Sequence, residues 1–314
     1  MSRFLVRRVL HALIVLWLAF TLSFAVLFVV PGDPVELMLG DEQLRQLSAE
    51  QLAAIKAEFG TDRPFVVQYL DQLGGLLRGD LGSSYQNGVD VTTLLVQAAP
   101  STLALAFSAL VVGLVLGFGI ALSAALTHRA WLRGLLLALP PLSASLPTFW
   151  VGLVLLQVFS FQLGWLPAFG ARGPSGIVLP AISLGIPISA AIAQVLHKSL
   201  TTTVAEPYAD VLRAKGVGHL RLFFRHALRN ASLPTLTTVG LVVAGLLGGA
   251  VLTETVFSRN GLGQLAATAV SQKDVPVVQG VVLLAAAVFV VVSLIVDLLY
   301  TVLDPRIRLE KAAA

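Results

Sequence analysis

Six apolar stretches, each about as long as a bilayer's hydrocarbon is thick, constrain this chain more than any other feature of its sequence. They run from Val9 to Val30, Thr102 to Leu126, Leu135 to Leu163, Ile177 to Leu196, Leu233 to Phe257 and Pro276 to Leu303. A helix rises about 1.5 Å per residue and the hydrocarbon is about 30 Å thick, so one span needs about 20 mostly apolar residues. Composition agrees: 56% of the 314 residues are hydrophobic and 12% are charged, against about a quarter charged in soluble domains. Mean hydropathy is +0.87. The expected fold is all-α and integral to the membrane, with the lipid bilayer as its surroundings.

Orientation follows from where the cations collect. With the N-terminus inside, the cytoplasmic set is Arg3, Arg7, Arg8, Arg129, Arg133, Lys198, Arg213, Lys215, Arg221, Arg225, Arg229, Arg306, Arg308 and Lys311. The outer set is Arg45, Lys56, Arg63, Arg78, Arg172, Arg259 and Lys273, half as many and mostly in one long loop, where charge has little influence on topology. Both termini are therefore expected in the cytoplasm. Arg3, Arg7 and Arg8 ahead of Ser23-Phe24-Ala25 imitate a cleavable signal, but the apolar run is too long and continues past that triplet, which favours a retained span. The net charge of +4 is accounted for by cations at the ends of apolar runs. No basic face with stacking aromatics accompanies them, so nucleic acid is not an expected partner.

Between Pro31 and Pro100 lies the one long extramembrane segment. Ser48-Ala49-Glu50-Gln51 reads as a capping box ahead of Leu52, Ile55 and Phe59 on one helical face. A second short helix is expected to start at Asp62 to Pro64 and to align Phe65, Tyr69, Leu73 and Leu76 or Leu77. Within the spans, Gly113 and Gly117, and Gly245 and Gly249, have the spacing that lets helix backbones approach closely. Pro140, Pro141 and Pro147 crowd the start of the third span and Pro180 and Pro187 interrupt the fourth, so kinks are expected there.

Several kinds of chemistry are missing. No Gly-Lys dipeptide occurs, so the phosphate-cradling loop G-x-x-x-x-G-K-[ST] is absent, and His11, His128, His197, His219 and His226 include no H-E-x-x-H pair. Without cysteine there is no thiolate chemistry. An ion-coupled carrier would bury ionisable groups near mid-membrane, yet the spans offer only Glu254 and Asp297, each near an end, and the amides Gln157 and Gln194. Glu254 is expected at the outer interface and Asp297 bonded to a neighbouring helix near the cytoplasmic face. No catalytic residue, metal site or cofactor site is identified in this chain, so energy must come from another one.

Glu206 to Pro234, EPYADVLRAKGVGHLRLFFRHALRNASLP, is too polar to lie in lipid. Glu206-Pro207 starts a helix, Asp210 to Lys215 continue it, and Gly216 has the freedom to end it and turn the chain back. His219 to Asn230 forms a second helical stretch with Arg221, Arg225 and Arg229 four residues apart and Leu222 and Phe223 available for burial, and Pro234 marks return to the membrane. By composition alone this is equally a charged loop that fixes topology.

Asp210, Ala214 and Gly216 followed by Leu233-Pro234 resemble the EAA loop of bacterial ABC importer permeases. Leu212-Arg213-Ala214-Lys215-Gly216 and Arg225-His226-Ala227-Leu228-Arg229-Asn230 resemble the dipeptide, oligopeptide and nickel permease family. So do Pro31-Gly32-Asp33-Pro34, Leu146-Pro147-Thr148-Phe149-Trp150, Glu254-Thr255-Val256-Phe257 with Gly261-Leu262-Gly263, and the ending Asp297-Leu298-Leu299-Tyr300 through Leu303-Asp304-Pro305-Arg306. Two departures stand: Asp210 replaces the usual Glu, and Ser258-Arg259-Asn260 replaces the Trp-Pro common before Gly261.

The resemblance implies a type I importer permease with six transmembrane helices in a bacterial cytoplasmic (inner) membrane. Residues 1–30 would be the N-terminal segment and first span, 31–100 an extracytoplasmic loop, 101–305 a five-helix core with a coupling loop at 199–231, and 306–314 a cytoplasmic tail. Implied partners are a homologous second permease, two ATPase subunits that bind ATP and Mg, and an extracytoplasmic solute-binding protein. Asp210, Arg213, Ala214, Lys215, Gly216 and Arg221 are the residues implied to couple to the ATPase, with Arg213 and Lys215 pairing to its acidic groups. Gln157 and Gln194 are candidates for the translocation path, or for packing alone. Peptides are the first substrate class implied, with glutathione, nickel or another metal chelate as the alternative; an ATPase-independent channel and a secondary carrier are the competing classes.

Overall fold

The computed structural model describes residues 2–29, 35, 36, 39, 44–169 and 173–303. Pro31-Gly32-Asp33-Pro34, Arg172, Asp304-Pro305-Arg306 and the tail 306–314 lie outside the described residues, as does the side chain of Asp297. Nearly everything described is helical. In chain order the helices are α1 (Ser2–Val29), α2 (Ala49–Glu58), α3 (Phe65–Leu77), α4 (Val91–Leu126), α5 (Ala130–Ser145), α6 (Thr148–Leu155), α7 (Ser175–Val204), α8 (Pro207–Ala214), α9 (His219–Leu222), α10 (Leu228–Val256), α11 (Leu262–Ser271) and α12 (Val275–Leu303), with π-helical turns at Leu156–Gln162 and Phe223–Ala227. Among the described residues the one β feature is an isolated antiparallel bridge, Ser83 to Asp90.

Four helices are long and apolar enough to cross a membrane, through Val6–Val26, Val91–Leu126, Ser175–Val204 and Val275–Ile295. Two bent pairs raise the number to as many as six: Ala130–Ser145 with Thr148–Gln162, at 104°, and His219–Val243 with Gly248–Val256, at 58°. The stretch from Leu135 to Leu163 is therefore no straight span. The break falls at Leu146-Pro147, where Leu146 is extended (φ −89, ψ 128), as a residue ahead of proline must tend to be.

Other prolines do not end their helices. Pro100 lies inside α4, which begins at Val91, and Pro234 lies inside α10. Helix thus begins at Val91, ahead of Pro100, and the polar segment after α7 runs into α10 without a break at Pro234. Asp90 explains the early start of α4: its carboxylate accepts from the Thr92 amide (3.1 Å) and the Thr93 hydroxyl (3.4 Å), the bonding of a helix N-cap.

The chain divides into two compact units: residues 1–102 with 260–290, and residues 103–259 with 291–314. In the first, the capping box forms as the sequence specifies. The Gln51 amide donates to Ser48 Oγ (3.2 Å) and the Ser48 amide to Gln51 Oε1 (2.9 Å). Helix α3 packs against α1 through Tyr69, whose hydroxyl receives the Trp17 indole N–H at 3.0 Å and bonds Thr21 Oγ1 at 2.9 Å. Its ring lies 5.4 Å from Phe20 and 5.3 Å from Phe24. Leu76 is partly buried, while Leu77 faces outward.

Sequence inspection misses Asp274 in this unit. It is 3% exposed, accepts from the Ser84 hydroxyl and from the Tyr85 amide at 3.1 Å, and so ties the loop before α4 to the turn before α12. Gln86 Nε2 adds a bond to the Gln272 carbonyl at 2.9 Å. Beneath them Val91, Leu95, Leu262, Ala269 and Val277 form a core, and the Leu262 amide donates to Thr102 Oγ1 at 2.7 Å.

The second unit depends on close contact between α4 and α7. A Cβ placed on Gly113 would lie 2.2 Å from Ile188 Cγ2, one on Gly117 2.8 Å from Ile192 Cγ2, and one on Gly185 2.7 Å from Val112 Cγ1. The interlock is reciprocal, because each helix receives the other's branched side chain where it has none. Gly249 likewise accepts Leu184, but nothing lies within 4 Å of a Cβ on Gly245. Among the described residues Gly245 thus meets no packing partner, contrary to its spacing.

Near the end of α10, Glu254 is fully buried, not at an interface as its position near the span's end implied. Ser258 follows at φ 49, and Arg259 Nη1 donates to the Gly176 carbonyl at 2.9 Å. That carbonyl is the one Pro180 leaves without its intrahelical donor, so Arg259 repairs the defect.

The glycine contacts predict a contrast. Gly113→Leu should lower unfolding stability by about 1–3 kcal/mol through overpacking, whereas Gly245→Ala should leave it within about 0.5 kcal/mol. Thermal unfolding of the purified chain in detergent checks this, and equal losses for the two would refute the assignment.

Candidate coupling site

The polar segment after α7 folds into a turn-helix-turn built from local backbone chemistry. Glu206 is extended (φ −70, ψ 148) and Pro207 takes the first helical position, where its missing N–H costs nothing and its fixed φ suits a helix. The two-turn helix α8 ends in a Schellman motif: the Gly216 amide donates to the Arg213 carbonyl at 2.9 Å and the Val217 amide to the Leu212 carbonyl at 3.0 Å. Gly216 has φ +79, the left-handed conformation that favours glycine. Gly218 then opens α9, and the chain enters α10 through the π-helical turn.

One face of this hairpin is anchored. Ala209, Leu222, Phe223 and Ala227 are buried, and Phe223 and Ala227 join Leu196 and Leu200 of α7, Ala121 of α4 and Ala231 of α10 in one apolar cluster. The other face is open. Asp210, Arg213, Ala214, Lys215, Gly216 and Arg221 are all exposed, as are Arg225 and Arg229 on the same stretch.

The cations are not equivalent. Arg213 Nη1 bonds Asp210 Oδ1 at 2.7 Å and its Nη2 reaches the Val204 carbonyl at the end of α7, at 3.3 Å. Arg213 is therefore engaged within the chain, whereas Lys215 and Arg221 form no ion pair among the described residues. Sequence reasoning also passed over Val211, Leu220 and Phe224, which are 54%, 62% and 49% exposed beside these charges. Their signal was available: apolar residues on the polar side of a short amphipathic helix. A surface that mixes such side chains with mobile cations suits contact with another protein.

Gln157 lies on the π-helical turn Leu156–Gln162 and Gln194 on α7, and both are exposed. Among the described residues no group of three or more His, Cys, Asp or Glu side chains could hold a metal ion.

Comparison with known proteins gives this surface its context. Residues 113–309 match the family described as binding-protein-dependent transport system inner membrane component, and residues 1–106 match its N-terminal companion. A glutathione transport system permease protein of Salmonella typhimurium is 33% identical over 308 residues, covering 98% of this chain and 99% of that protein. A di/tripeptide transport system permease protein of Pseudomonas aeruginosa is 36% identical over 319 residues, covering 92% and 94%. A dipeptide transport system permease protein of Alkalihalophilus pseudofirmus is 32% identical over 336 residues, covering 98% and 100%. In fold, the chain is similar to one from inward-facing conformations of the MetNI methionine ABC transporter, with TM-score 0.57 and 18% identity over 67% of this chain and 96% of that one. It is also similar to a chain of an amino acid ABC transporter, with TM-score 0.51 and 19% identity over 68% and 94%. Matched along almost its whole length, the chain belongs to the binding-protein-dependent transport system inner membrane component family, the membrane permeases of ABC importers.

Proposed function

We propose that this chain is the peptide-conducting half of a two-permease path, driven by a pair of ATPase subunits that bind ATP and Mg and supplied by an extracytoplasmic solute-binding protein. The observation that carries the coupling role is α8 itself, a short helix with Pro207 at its first position and a Schellman turn at its end, bonded to the end of α7 through Arg213, with Ala209 buried and Asp210, Ala214, Lys215, Gly216 and Arg221 exposed on or just after it. ATP-driven closure of the partner would displace a helix seated in its cleft, and α7 and α10 would tilt with it. Arg213 serves this role by stiffening the join to α7, and Lys215 and Arg221 present charge to the partner. The orientation that fits is six spans, each bent pair counting as one, with both termini cytoplasmic and α8 on the ATPase side. Gln157 and Gln194, polar and exposed, are the side chains we assign to the path.

Peptides rank first because two of the relatives above are named as dipeptide or di/tripeptide permeases. Glutathione is the second reading, favoured by the relative named for it. Mass spectrometry of ligand co-purified with the solute-binding protein separates the two.

Three results test the coupling role. Ala214→Trp should abolish substrate-stimulated ATPase activity and uptake while membrane insertion is unchanged; uptake at the wild-type rate would remove the proposal. Gly216→Val, forced into a left-handed conformation that costs about 1–2 kcal/mol, should reduce uptake in reconstituted vesicles by misplacing α8. Because the chain has no cysteine, Lys215→Cys provides a single label site, which should react with an impermeant maleimide only in inverted vesicles. Labelling in intact cells would overturn the orientation.

A further inference from the structure

A cavity of about 520 Å³ lies within the first unit, among α1, α2, α3, the loop before α4 and the start of α12. Its size falls in the range of about 300–1,000 Å³ typical of small-molecule sites. Two amide side chains in its wall are unsatisfied: Gln72 Oε1, an acceptor, and Gln279 Nε2, a donor, are buried with no hydrogen-bond partner. Gln279 is 6% exposed, so its orphaned N–H is an expensive group to leave in place without an occupant.

The wall also carries Asp71 and Asp80, and no Lys, Arg or His is among the described lining residues. Asp71 bonds Arg63 at 2.6 Å on the exposed side of α3, and Asp80 Oδ1 accepts from the Gly82 amide at 2.8 Å. The formal charges in the lining are thus both carboxylates, and of the two Asp71 is already paired with Arg63. Phe59 and Tyr85, with ring centroids 4.6 Å apart, supply an aromatic wall that also favours a cation or an apolar side chain.

From these groups we infer that the cavity binds a primary ammonium with a carbonyl close by, as at the free N-terminus of a short peptide. The ammonium donates to Asp80 and Gln72, and the carbonyl accepts from Gln279. The same chemistry occurs in an ethanolamine lipid headgroup near its ester carbonyls. The peptide form of the inference rests on the peptide-import reading above and adds a holding site outside the proposed path.

The test uses the assembled importer in phosphatidylcholine nanodiscs, without solute-binding protein or nucleotide, and equilibrium dialysis of radiolabelled Ala-Phe. Saturable binding is expected. It should weaken by about tenfold or more in Gln279→Met, which removes the donor at similar volume, and in Asp80→Asn, which keeps the Oδ1 acceptor that holds Gly82 and removes the charge. N-acetyl-Ala-Phe should not compete. Loss of Ala-Phe binding when phosphatidylethanolamine replaces half the lipid, with binding restored by raising the Ala-Phe concentration, would assign the site to the headgroup and still support it. Absence of saturable binding in phosphatidylcholine, binding unchanged in both variants, or equal competition by the acetylated peptide would overturn it. ATP-driven Ala-Phe uptake with the solute-binding protein reports separately: uptake that persists when the site fails leaves peptide import standing, and binding without uptake removes import alone.

Discussion

Every backbone N–H and C=O in a lipid-spanning segment needs a partner from the protein, because the hydrocarbon supplies none. This chain departs from uninterrupted helix at several prolines, and each departure creates a debt in hydrogen bonds. Pro180 frees the Gly176 carbonyl and Arg259 reaches back to satisfy it. At the break beside Pro147 the Ser183 hydroxyl donates to the Thr148 carbonyl at 2.9 Å, which ties α6 to α7 across the bend. Within α5, Ser143 and Ser145 bond the Pro140 and Pro141 carbonyls, which are not the Leu136 and Leu137 carbonyls that those two prolines free. The Arg259 bond is thus both a repair and a link from the turn after α10 to α7.

Packing between helices in lipid gains little from the hydrophobic effect, since lipid tails are as apolar as leucine. Shape must do the work. The α4–α7 contact meets this requirement with Gly113, Gly117 and Gly185 facing Ile188, Ile192 and Val112, which brings whole backbones into van der Waals contact. A branched residue opposite a glycine is stiff, so little side-chain freedom is lost on docking. The same contact stiffens α7, the helix whose C-terminal carbonyl at Val204 receives Arg213.

Much of this was legible beforehand, for physical reasons. The capping box at Ser48 and the stop at Gly216 are local, decided by a few residues whose bonding options are few, and both form as their spacing specifies. The apolar runs located the spans but not their ends. Pro100 and Pro234 looked like boundaries because a proline removes one donor, yet one lost bond cannot end a helix that packing supports on both sides. Gly245 and Gly249 share a motif and differ in role, because spacing gives the face of a helix and not what faces it. Asp274 and Arg259 act on groups 190 and 83 residues away, a separation at which no local pattern exists. Glu254 was misplaced because nearness to a span's end was taken for nearness to water.

The coupling surface draws on both kinds of information. The bounds of its helix are set by local rules, from Pro207 at one end to the Schellman turn at the other. Its surroundings are set by distant packing: Ala209 is buried, and the stretch that follows α8 joins Leu196 and Leu200 through Phe223 and Ala227. A transmitter of force needs both properties. A helix of only eight residues is marginal alone, and one fixed by packing alone would repack when pushed. Here the Schellman turn closes α8 at its C-terminal end, and the Arg213 bridge from Asp210 to Val204 joins it to α7. In the proposed coupling, displacement of α8 would pass through these bonds to α7, the helix that interlocks with α4.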